Sequence, residues 1–277
     1  MAGAFPNAAA FVTAARAAVA KLDSPGPRGR KRGRKPIIDR DAVLAAIRVV
    51  ANSGMQWRIL ALLKSANWNT VVYHFLRWSR LGLWRQLALG LIVQWRTENG
   101  VGTEASVAVV DSRSVRSGPT CGERGIDGGK QIKGIKLSML TDKFGLPMEF
   151  LVTTANVGDR EGLRQMVAAL KRDFPNVSVV LGDLGYEGAE FTAELARSEL
   201  ELKTMRCGDA KTRAFVPREI RWVVERIFGW LAQWRRLAIC RERIIEHYVD
   251  FAWIAIASIV AARLSRPTIT GYINDMA

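Results

Sequence analysis

Apolar residues recur every three or four positions along the first hundred residues, which is the spacing of helices with one buried face. The segment 8–20 (AAAFVTAARAAVA) predicts a short amphipathic helix. The segment 39–54 (DRDAVLAAIRVVANSG) predicts a second helix, which begins after an aspartate and ends at a glycine. The segment 67–84 (NWNTVVYHFLRWSRLGLW) predicts a third helix, with Asn67 or Asn69 as its cap.

The third predicted helix is apolar on one face and polar on the other. Its inner face is predicted to hold Val71, Val72, Phe75, Leu76 and Trp78. Its outer face is predicted to hold Thr70, His74, Arg77 and Arg80. Short helices with a basic outer face are typical of helix-turn-helix DNA readers, so Arg77 and Arg80 are candidate DNA contacts. A helical bundle with an ordinary solvated face fits the same pattern.

Between residues 105 and 240 the pattern changes to short apolar runs that alternate with amphipathic segments. The predicted strands are 106–111, 131–142, 146–156, 177–183 and 201–206. The predicted helices are 159–174, 188–198 and 217–240. Several glycines after the first strand predict a loop, and residues 143–145 predict a hairpin turn.

This order of three strands, helix, strand, helix, strand and helix resembles the ribonuclease-H-like fold, an α/β fold with a mixed sheet and flanking helices. The resemblance implies that the first and fourth strands lie side by side, which would make Asp111 and Asp183 neighbours. The final helix would bring Glu225 to the same edge of the sheet. Three converging carboxylates repel one another, and two Mg²⁺ ions, or Mn²⁺ as a substitute, would offset that repulsion.

Each of these acids also has an ordinary structural explanation. Aspartates are common where strands end in turns. Glu225 could form a helix salt bridge with Arg221, one turn earlier. Asp142 and Asp159 are rival carboxylates with an expected supporting or structural role.

The charge of the chain favours a polyanionic partner. The 277 residues include 41 Lys and Arg against 26 Asp and Glu, for a net charge of +15. Double-stranded DNA is the simplest partner, and a basic membrane-surface protein is a minor alternative.

The odd number of cysteines, Cys121, Cys207 and Cys240, is unfavourable for a disulfide framework or a zinc site and is typical of a reducing compartment. No signal peptide is visible, and the apolar run 251–262 predicts a core helix, so we expect a cytoplasmic, nucleoid-associated protein without a membrane span.

A basic, glycine- and proline-rich stretch separates the first two predicted helices. Residues 24–36 read SPGPRGRKRGRKP, which forbids regular structure. Such a stretch is either a solvated linker or an arm that follows DNA and enters an A·T-rich minor groove. Its candidate DNA contacts are Arg28, Arg30, Lys31, Arg32, Arg34 and Lys35.

Five longer blocks resemble the DDE transposases of bacterial insertion sequences, specifically the insertion sequence 5 family. The resemblance extends over about residues 30–245. The blocks with Asp111, Asp183 and Glu225 read DSRSVRSGPTCGERGIDGGKQIKGIK (111–136), GDLGYEG (182–188) and RWVVERIFGWLAQWRRL (221–237). The blocks of the amino-terminal helical region are 33–60 and 67–84.

The resemblance implies a Mg²⁺-dependent enzyme that cuts the ends of its own insertion sequence and joins the 3′ ends to target DNA by two-metal phosphoryl transfer. Its partners would be the terminal inverted repeats and the target DNA, and it would act as a homodimer or a higher assembly. Asp111, Asp183 and Glu225 would hold the metals. The residues implied to contact DNA phosphates in this region are Lys133, Lys136, Arg221, Arg235 and Arg236.

The sequence also departs from the broader signature of these enzymes. Arg218 and Ala232 occupy the positions of a tyrosine and a lysine. A catalytically inactive DNA-binding protein, or a nuclease that cuts without joining, therefore remains the alternative. The expected division of the chain is an amino-terminal helix and basic arm (1–36), a helical DNA-binding region (37–100), a catalytic domain (101–245) and a carboxy-terminal helix and tail (246–277).

Overall fold

The computed structural model describes residues 8–22, 39–63, 67–205 and 218–265, with only the backbone described at Met205 and residues 218–221. The described residues belong to two compact units. One comprises the described parts of Met1–Thr103 and Trp253–Ala277, and the other comprises those of Glu104–Ala252. The functional division of the chain that we expect from the sequence stays a prediction.

The first unit is helical. Its elements are α1 (Ala8–Leu22), α2 (Arg40–Ser53), a 3₁₀ helix (Trp57–Leu63), α3 (Trp68–Arg80) and α4 (Leu83–Glu98). The side chain of Asp39 caps α2, which ends at Gly54 in the left-handed conformation (φ 70°). Asn67 caps α3 by accepting the backbone N–H of Asn69 at 2.9 Å. These helix boundaries confirm the second and third predicted helices.

The outer face of α3 differs from the prediction at His74. This side chain is only 7% exposed, and its ring centroid lies 4.9 Å from that of Trp78. The helical repeat explains the error, because position 74 falls within the buried stripe of α3. That stripe consists of Val71, His74, Phe75 and Trp78. Tyr73, which is 62% exposed, takes the outward place beside the half-buried Arg77 and the exposed Arg80.

The second unit contains a six-stranded mixed sheet with helices on both faces. Its strands are β1 (Val107–Arg116), β2 (Gly125–Asp127), β3 (Ile132–Thr141), β4 (Pro147–Thr154), β5 (Val179–Asp183) and β6 (Glu201–Met205). The order is β2-β3-β1-β5-β6, and β4 also pairs with β3. β1 is antiparallel to β3 and parallel to β5, as the ribonuclease-H-like fold requires. The predicted fold class is therefore confirmed.

In the described part of this unit, four helices accompany the sheet and a fifth begins. They are α5 (Asp159–Asp173), α6 (Ala189–Arg197), α7 (Arg218–Ala232), α8 (Arg235–Ala238) and α9 (Ile245–Leu264). Among the described residues, only α9 has the length and apolar composition of a possible membrane span, and 67% of its most apolar stretch is buried. This burial confirms the core helix predicted for the apolar run 251–262.

Two element boundaries correct the predictions. The first strand does not end at Asp111 but continues to Arg116, because residues 111–116 pair with residues 134–139 of β3. The last predicted helix is broken after Ala232, where the buried Trp234 adopts an extended backbone conformation before α8. The arginines that follow Trp234 therefore do not continue the face of α7.

Candidate active site

Asp111 and Asp183 occupy equivalent positions on neighbouring parallel strands. The last registered pair between β1 and β5 is Val109 with Leu181, and each aspartate lies two residues beyond its member of that pair. Adjacent strands lie about 4.8 Å apart, so Asp183 at the end of β5 lies beside Asp111 in the middle of β1. Both side chains are half-buried. The sequence-based expectation that these two acids are neighbours thus agrees with the sheet register.

Helix α7 lies against the face of β1 from which Asp111 projects. Side chains two apart on a strand share a face, so Asp111 and Arg113 point the same way. Arg113 Nη1 donates to the carbonyl oxygen of Phe228 in α7 at 3.0 Å. Glu225 lies one helical turn before Phe228, towards the amino end of α7. The fold therefore places Glu225 on the helix that covers the Asp111 side of the sheet.

The burial pattern of α7 separates a core face from an exposed face. Val224, Ile227 and Leu231 are buried on its core face, and Trp234 is buried beyond its end. This burial confirms the predicted stripe. Glu225 and Gly229 are exposed on the other face, and Trp222 is 54% exposed. The carboxylate of Glu225 is therefore accessible to solvent and is not part of the buried core.

Arg226 fixes α7 to the turn between β3 and β4. Its Nη2 donates to the carbonyl oxygen of Phe144 at 3.1 Å. Its guanidinium also lies between two indole rings, 4.6 Å from the centroid of Trp222 and 5.1 Å from that of Trp230. Burial lowers the pKa of Arg226, and the stacking on aromatic faces compensates part of that desolvation. The residue next to Glu225 in sequence thus anchors the helix.

The two rival carboxylates have structural partners. Asp142 is buried, and its Oδ1 accepts the backbone N–H groups of Phe144 and Leu146, both at 2.9 Å. Asp159 begins α5, and its Oδ1 accepts from Ser112 Oγ at 2.7 Å and from Lys136 Nζ at 3.0 Å. Because Ser112 alternates with Asp111 along β1, Asp159 approaches the sheet from the opposite face.

The basic residues predicted to contact DNA in this unit have different environments. Lys133 and Arg235 are exposed. Lys136 is only 8% exposed and is ion-paired with Asp159, so a direct phosphate contact does not fit its burial. Arg236 Nε lies 2.7 Å from Glu242 Oε1 inside the unit, with 15% of the arginine side chain exposed, and this internal pair does not fit a DNA contact either.

Several other predicted contacts lie outside the described residues. They are the residues of the basic arm, Arg28, Arg30, Lys31, Arg32, Arg34 and Lys35. Cys207, which was considered only in the cysteine count, also lies outside the described residues. The backbone of Arg221 belongs to α7, but its side chain is not described. Their proposed roles therefore rest on the sequence.

Sequence reasoning missed an internal junction between the glycine-rich segment and the chain after α8. Gly118 N–H donates to the Cys240 carbonyl at 2.7 Å, and Thr120 Oγ1 donates to the Arg241 carbonyl at 2.6 Å. A Cβ at Gly122 would lie 2.1 Å from the Arg243 carbonyl oxygen. The glycines thus allow close backbone packing. Only their number hinted at this, because the partners are far away in sequence.

The same junction brings two cysteines together. Cys121 Sγ lies 3.3 Å from Cys240 Sγ, and both thiols are free and buried. Burial is the main cause that raises the pKa of Cys240 to about 12, and the hydrogen bond with Cys121 is the second cause. The proximity of these two thiols was not expected from the sequence.

A complete metal cage is not preformed in the described part of the chain, where no three His, Cys, Asp or Glu side chains form a group able to hold an ion. Two of the expected donors, Asp111 and Asp183, stand at equivalent strand positions, and carboxylate oxygens are the ligands that Mg²⁺ prefers. The donor chemistry therefore fits a divalent cation beside Asp111 and Asp183. The third donor, Glu225, is assigned from the sequence motif and from the position of α7.

Comparisons with known families agree with this architecture. Residues 102–260, more than half of the chain, match the family described as Transposase DDE domain. Residues 17–88 match a second family, described as transposases of the IS4/5 family. A search of curated proteins found no match.

Among solved structures, one similar chain is the piggyBac transposase in a cryo-EM structure of its synaptic complex with hairpin DNA. The similarity covers 97% of this chain and 81% of that chain, with 10% sequence identity and a TM-score of 0.44. This likeness is too distant to add to the family matches.

Proposed function

The chain belongs to the DDE transposases of the IS4/IS5 family, and from this premise we propose that it cuts DNA at the ends of its insertion sequence and joins the 3′ ends to target DNA. The observation that supports this activity is the register of β1 and β5, in which Asp111 and Asp183 each lie two residues beyond the last registered pair. The helix with Glu225 is fixed beside β1 by Arg113.

In this proposal, Asp111, Asp183 and Glu225 hold Mg²⁺, with Mn²⁺ as a substitute. When bound, such ions lower the pKa of an attacking water or hydroxyl and stabilise the leaving oxygen in phosphoryl transfer. Before a metal ion binds, the chain itself must hold Asp111 and Asp183 in place. The Gly185 N–H donates to Asp183 Oδ1 at 2.9 Å, and the Ser112 N–H donates to Asp111 Oδ1 at 2.7 Å. These bonds restrict the rotamers of both side chains.

The DNA would be held by cations distributed over both units. In the second unit, Lys133 and Arg235 are exposed and available for phosphates. In the first unit, Arg77 and Arg80 lie on α3, where they would meet the terminal inverted repeats together with the basic arm. Phosphate contacts fix the register of a protein on DNA but carry no sequence information. We expect the assembled enzyme to be a homodimer or larger on DNA, because two ends must be cut and joined.

A nicking assay on a plasmid or oligonucleotide that carries the element ends tests this function. Asp111→Ala, Asp183→Ala and Glu225→Ala should each abolish Mg²⁺-dependent nicking and leave DNA binding within about twofold of wild type. Loss of one metal-binding acid removes transition-state stabilisation and not the phosphate contacts. Normal nicking by Glu225→Ala would show that the third donor is misassigned.

Binding, nicking and joining assays distinguish the two alternative functions, an inactive DNA-binding protein and a nuclease. Arg218 and Ala232 replace two residues of the broader signature, which keeps an inactive binder and a nuclease in consideration. A wild-type protein that binds the ends but never nicks them is an inactive binder. A protein that nicks but yields no joined product with a target plasmid is a nuclease only.

A further inference from the structure

Five polar residues form a connected cluster behind β1, on the face away from Asp111. We call it the back cluster, and it consists of Ser112, Ser114, Asp127, Lys136 and Asp159. Ser112 Oγ donates to Asp159 Oδ1 at 2.7 Å, and Ser114 Oγ donates to Asp127 Oδ2. The Ser114 bond lowers the pKa of Asp127. Each serine that flanks Arg113 in β1 therefore holds one acid.

Lys136 connects the two acids of the back cluster. Its Nζ lies 3.0 Å from Asp159 Oδ1 and 3.9 Å from Asp127 Oδ2, and only 9% of its side chain is exposed. Lys136 is also the cross-strand partner of Ser114. Removal of Lys136 would leave the buried Asp127 without a nearby cation, which is costly, and would leave Asp159, whose side chain is 34% exposed, without this ion-pair partner.

The back cluster lies close to the candidate active site. Burial, and then the negative charges of Asp159, Asp111 and Asp183, raise the pKa of the Tyr186 hydroxyl. A Cβ at Gly185 would lie 3.0 Å from Asp183 Oδ1 and 3.8 Å from Asp159 Oδ2, so Asp159 of α5 is a further carboxylate near Asp183. Neighbouring carboxylates repel one another, and a nearby cation reduces that repulsion.

We infer that Lys136 and Asp159 are positioning residues for Asp111, an inference that rests on the proposed function. Asp159 holds β1 through Ser112, the residue after Asp111. Lys136 neutralises Asp159, so the carboxylates of Asp111 and Asp183 can stand side by side before a metal binds. The lysine that the sequence suggested as a phosphate contact thus acts from behind the strand.

Charge-removing substitutions that preserve shape test this inference. Lys136→Met keeps the length of the side chain, and Asp159→Asn keeps an oxygen that can accept from Ser112. Lys203→Met is the matched control, because Lys203 is also a strand lysine in an ion pair but is 46% exposed. Melting temperature without metal, Mn²⁺ affinity by calorimetry and nicking rate per folded molecule are measured for each variant and for the double variant Lys136→Met/Asp159→Asn.

Lys136→Met should melt lower than wild type and nick at least tenfold more slowly, because Asp159 is left charged without its cation. Asp159→Asn alone should weaken Mn²⁺ binding at least threefold, since a negative charge near the site is lost. The double variant should recover part of the stability and nicking lost in Lys136→Met, which is the signature of coupled residues. Lys203→Met should match wild type in all three measurements.

Additive effects of the two substitutions, or unchanged Mn²⁺ affinity in Asp159→Asn, would overturn the inference. A purely structural role would change the melting temperature but leave Mn²⁺ affinity and nicking per folded molecule unaltered. If the wild-type protein does not nick DNA, the proposed function fails. The positioning role is then decided by calorimetry with Mn²⁺ alone, which needs no cleavage.

Discussion

Gly145 offers the sharpest test of how α7 is docked. It lies in the turn between β3 and β4 with φ 71°, in the left-handed region that side chains with a Cβ rarely adopt. A Cβ at this position would lie 2.8 Å from Arg226 Nη2 and 3.2 Å from Val223 Cβ, both in α7. Gly145→Ala should therefore strain the turn and push aside the Arg226 guanidinium that fixes α7 to it.

The expected magnitude follows from two contributions. A left-handed backbone costs an alanine about 1–2 kcal/mol. Displacement of Arg226 would weaken its charged hydrogen bond to the Phe144 carbonyl, and such bonds contribute roughly 1.5–3 kcal/mol. Even partial loss of that bond gives a destabilisation of about 2 kcal/mol or more. For a unit of this size, that corresponds to a decrease in melting temperature of roughly 4–8 °C.

Thermal melts of the metal-free protein measure this effect, and nicking rates per folded molecule show whether α7 has moved. Gly145→Asn separates the two contributions, because asparagine tolerates the left-handed region but still brings a Cβ. Gly229→Ala is the control on the same helix: a Cβ there meets no atom within 4 Å, and alanine should stabilise the helix by up to about 1 kcal/mol. A melting temperature for Gly145→Ala within about 1 °C of wild type would refute this account of the turn.

Four further outcomes are expected. Deletion of residues 28–35 should weaken DNA binding broadly and flatten its salt dependence, because fewer counterions are released; an unchanged salt slope would identify the segment as a linker. Arg77→Ala should change sequence preference in a binding selection, if α3 enters a major groove, and a uniform loss of affinity would indicate a phosphate contact instead. Arg221→Ala should barely change the melting temperature, since an exposed helix pair contributes only ~0.3–0.5 kcal/mol, yet strongly reduce nicking, with poor rescue by lysine. The raised pKa of Cys240 means that the unfolded chain loses this proton first, so folded-state stability should fall as pH rises above about 9; melts of Cys240→Ala should show a shallower decrease with pH.

The sequence predicted those parts of the fold that depend on local periodicity. The cap of α3, given as Asn67 or Asn69, and the buried stripe of α7 were predicted because helical spacing and capping are local properties. The strand order, by contrast, came from a resemblance to a known fold. The extension of β1 beyond Asp111 was missed because a polar stretch becomes a strand only through its pairing with β3.

The candidate site could be predicted only in part for the same reason. The register of β1 and β5 agrees with the pairing of Asp111 and Asp183. A lysine within a strand, however, looks solvent-exposed until its neighbours are known, and Lys136 is buried against two acids from other elements. His74 shows the converse, since a polar residue can lie in a buried stripe. Charge and polarity alone do not decide which face of an element a residue occupies.

The junction at Cys240 also constrains how the polypeptide acquires its shape. The Thr120–Arg241 bond joins residues 121 positions apart, and closing such a loop costs about 4 kcal/mol of chain entropy, apart from a constant. Contacts of this sequence separation slow folding. During synthesis, the carboxy end of β1 stays uncovered until residues 239–243, which pack against it, have been made. A nascent chain that already contains Asp111 and Asp183 therefore cannot complete this junction until residues 239–243 have been made.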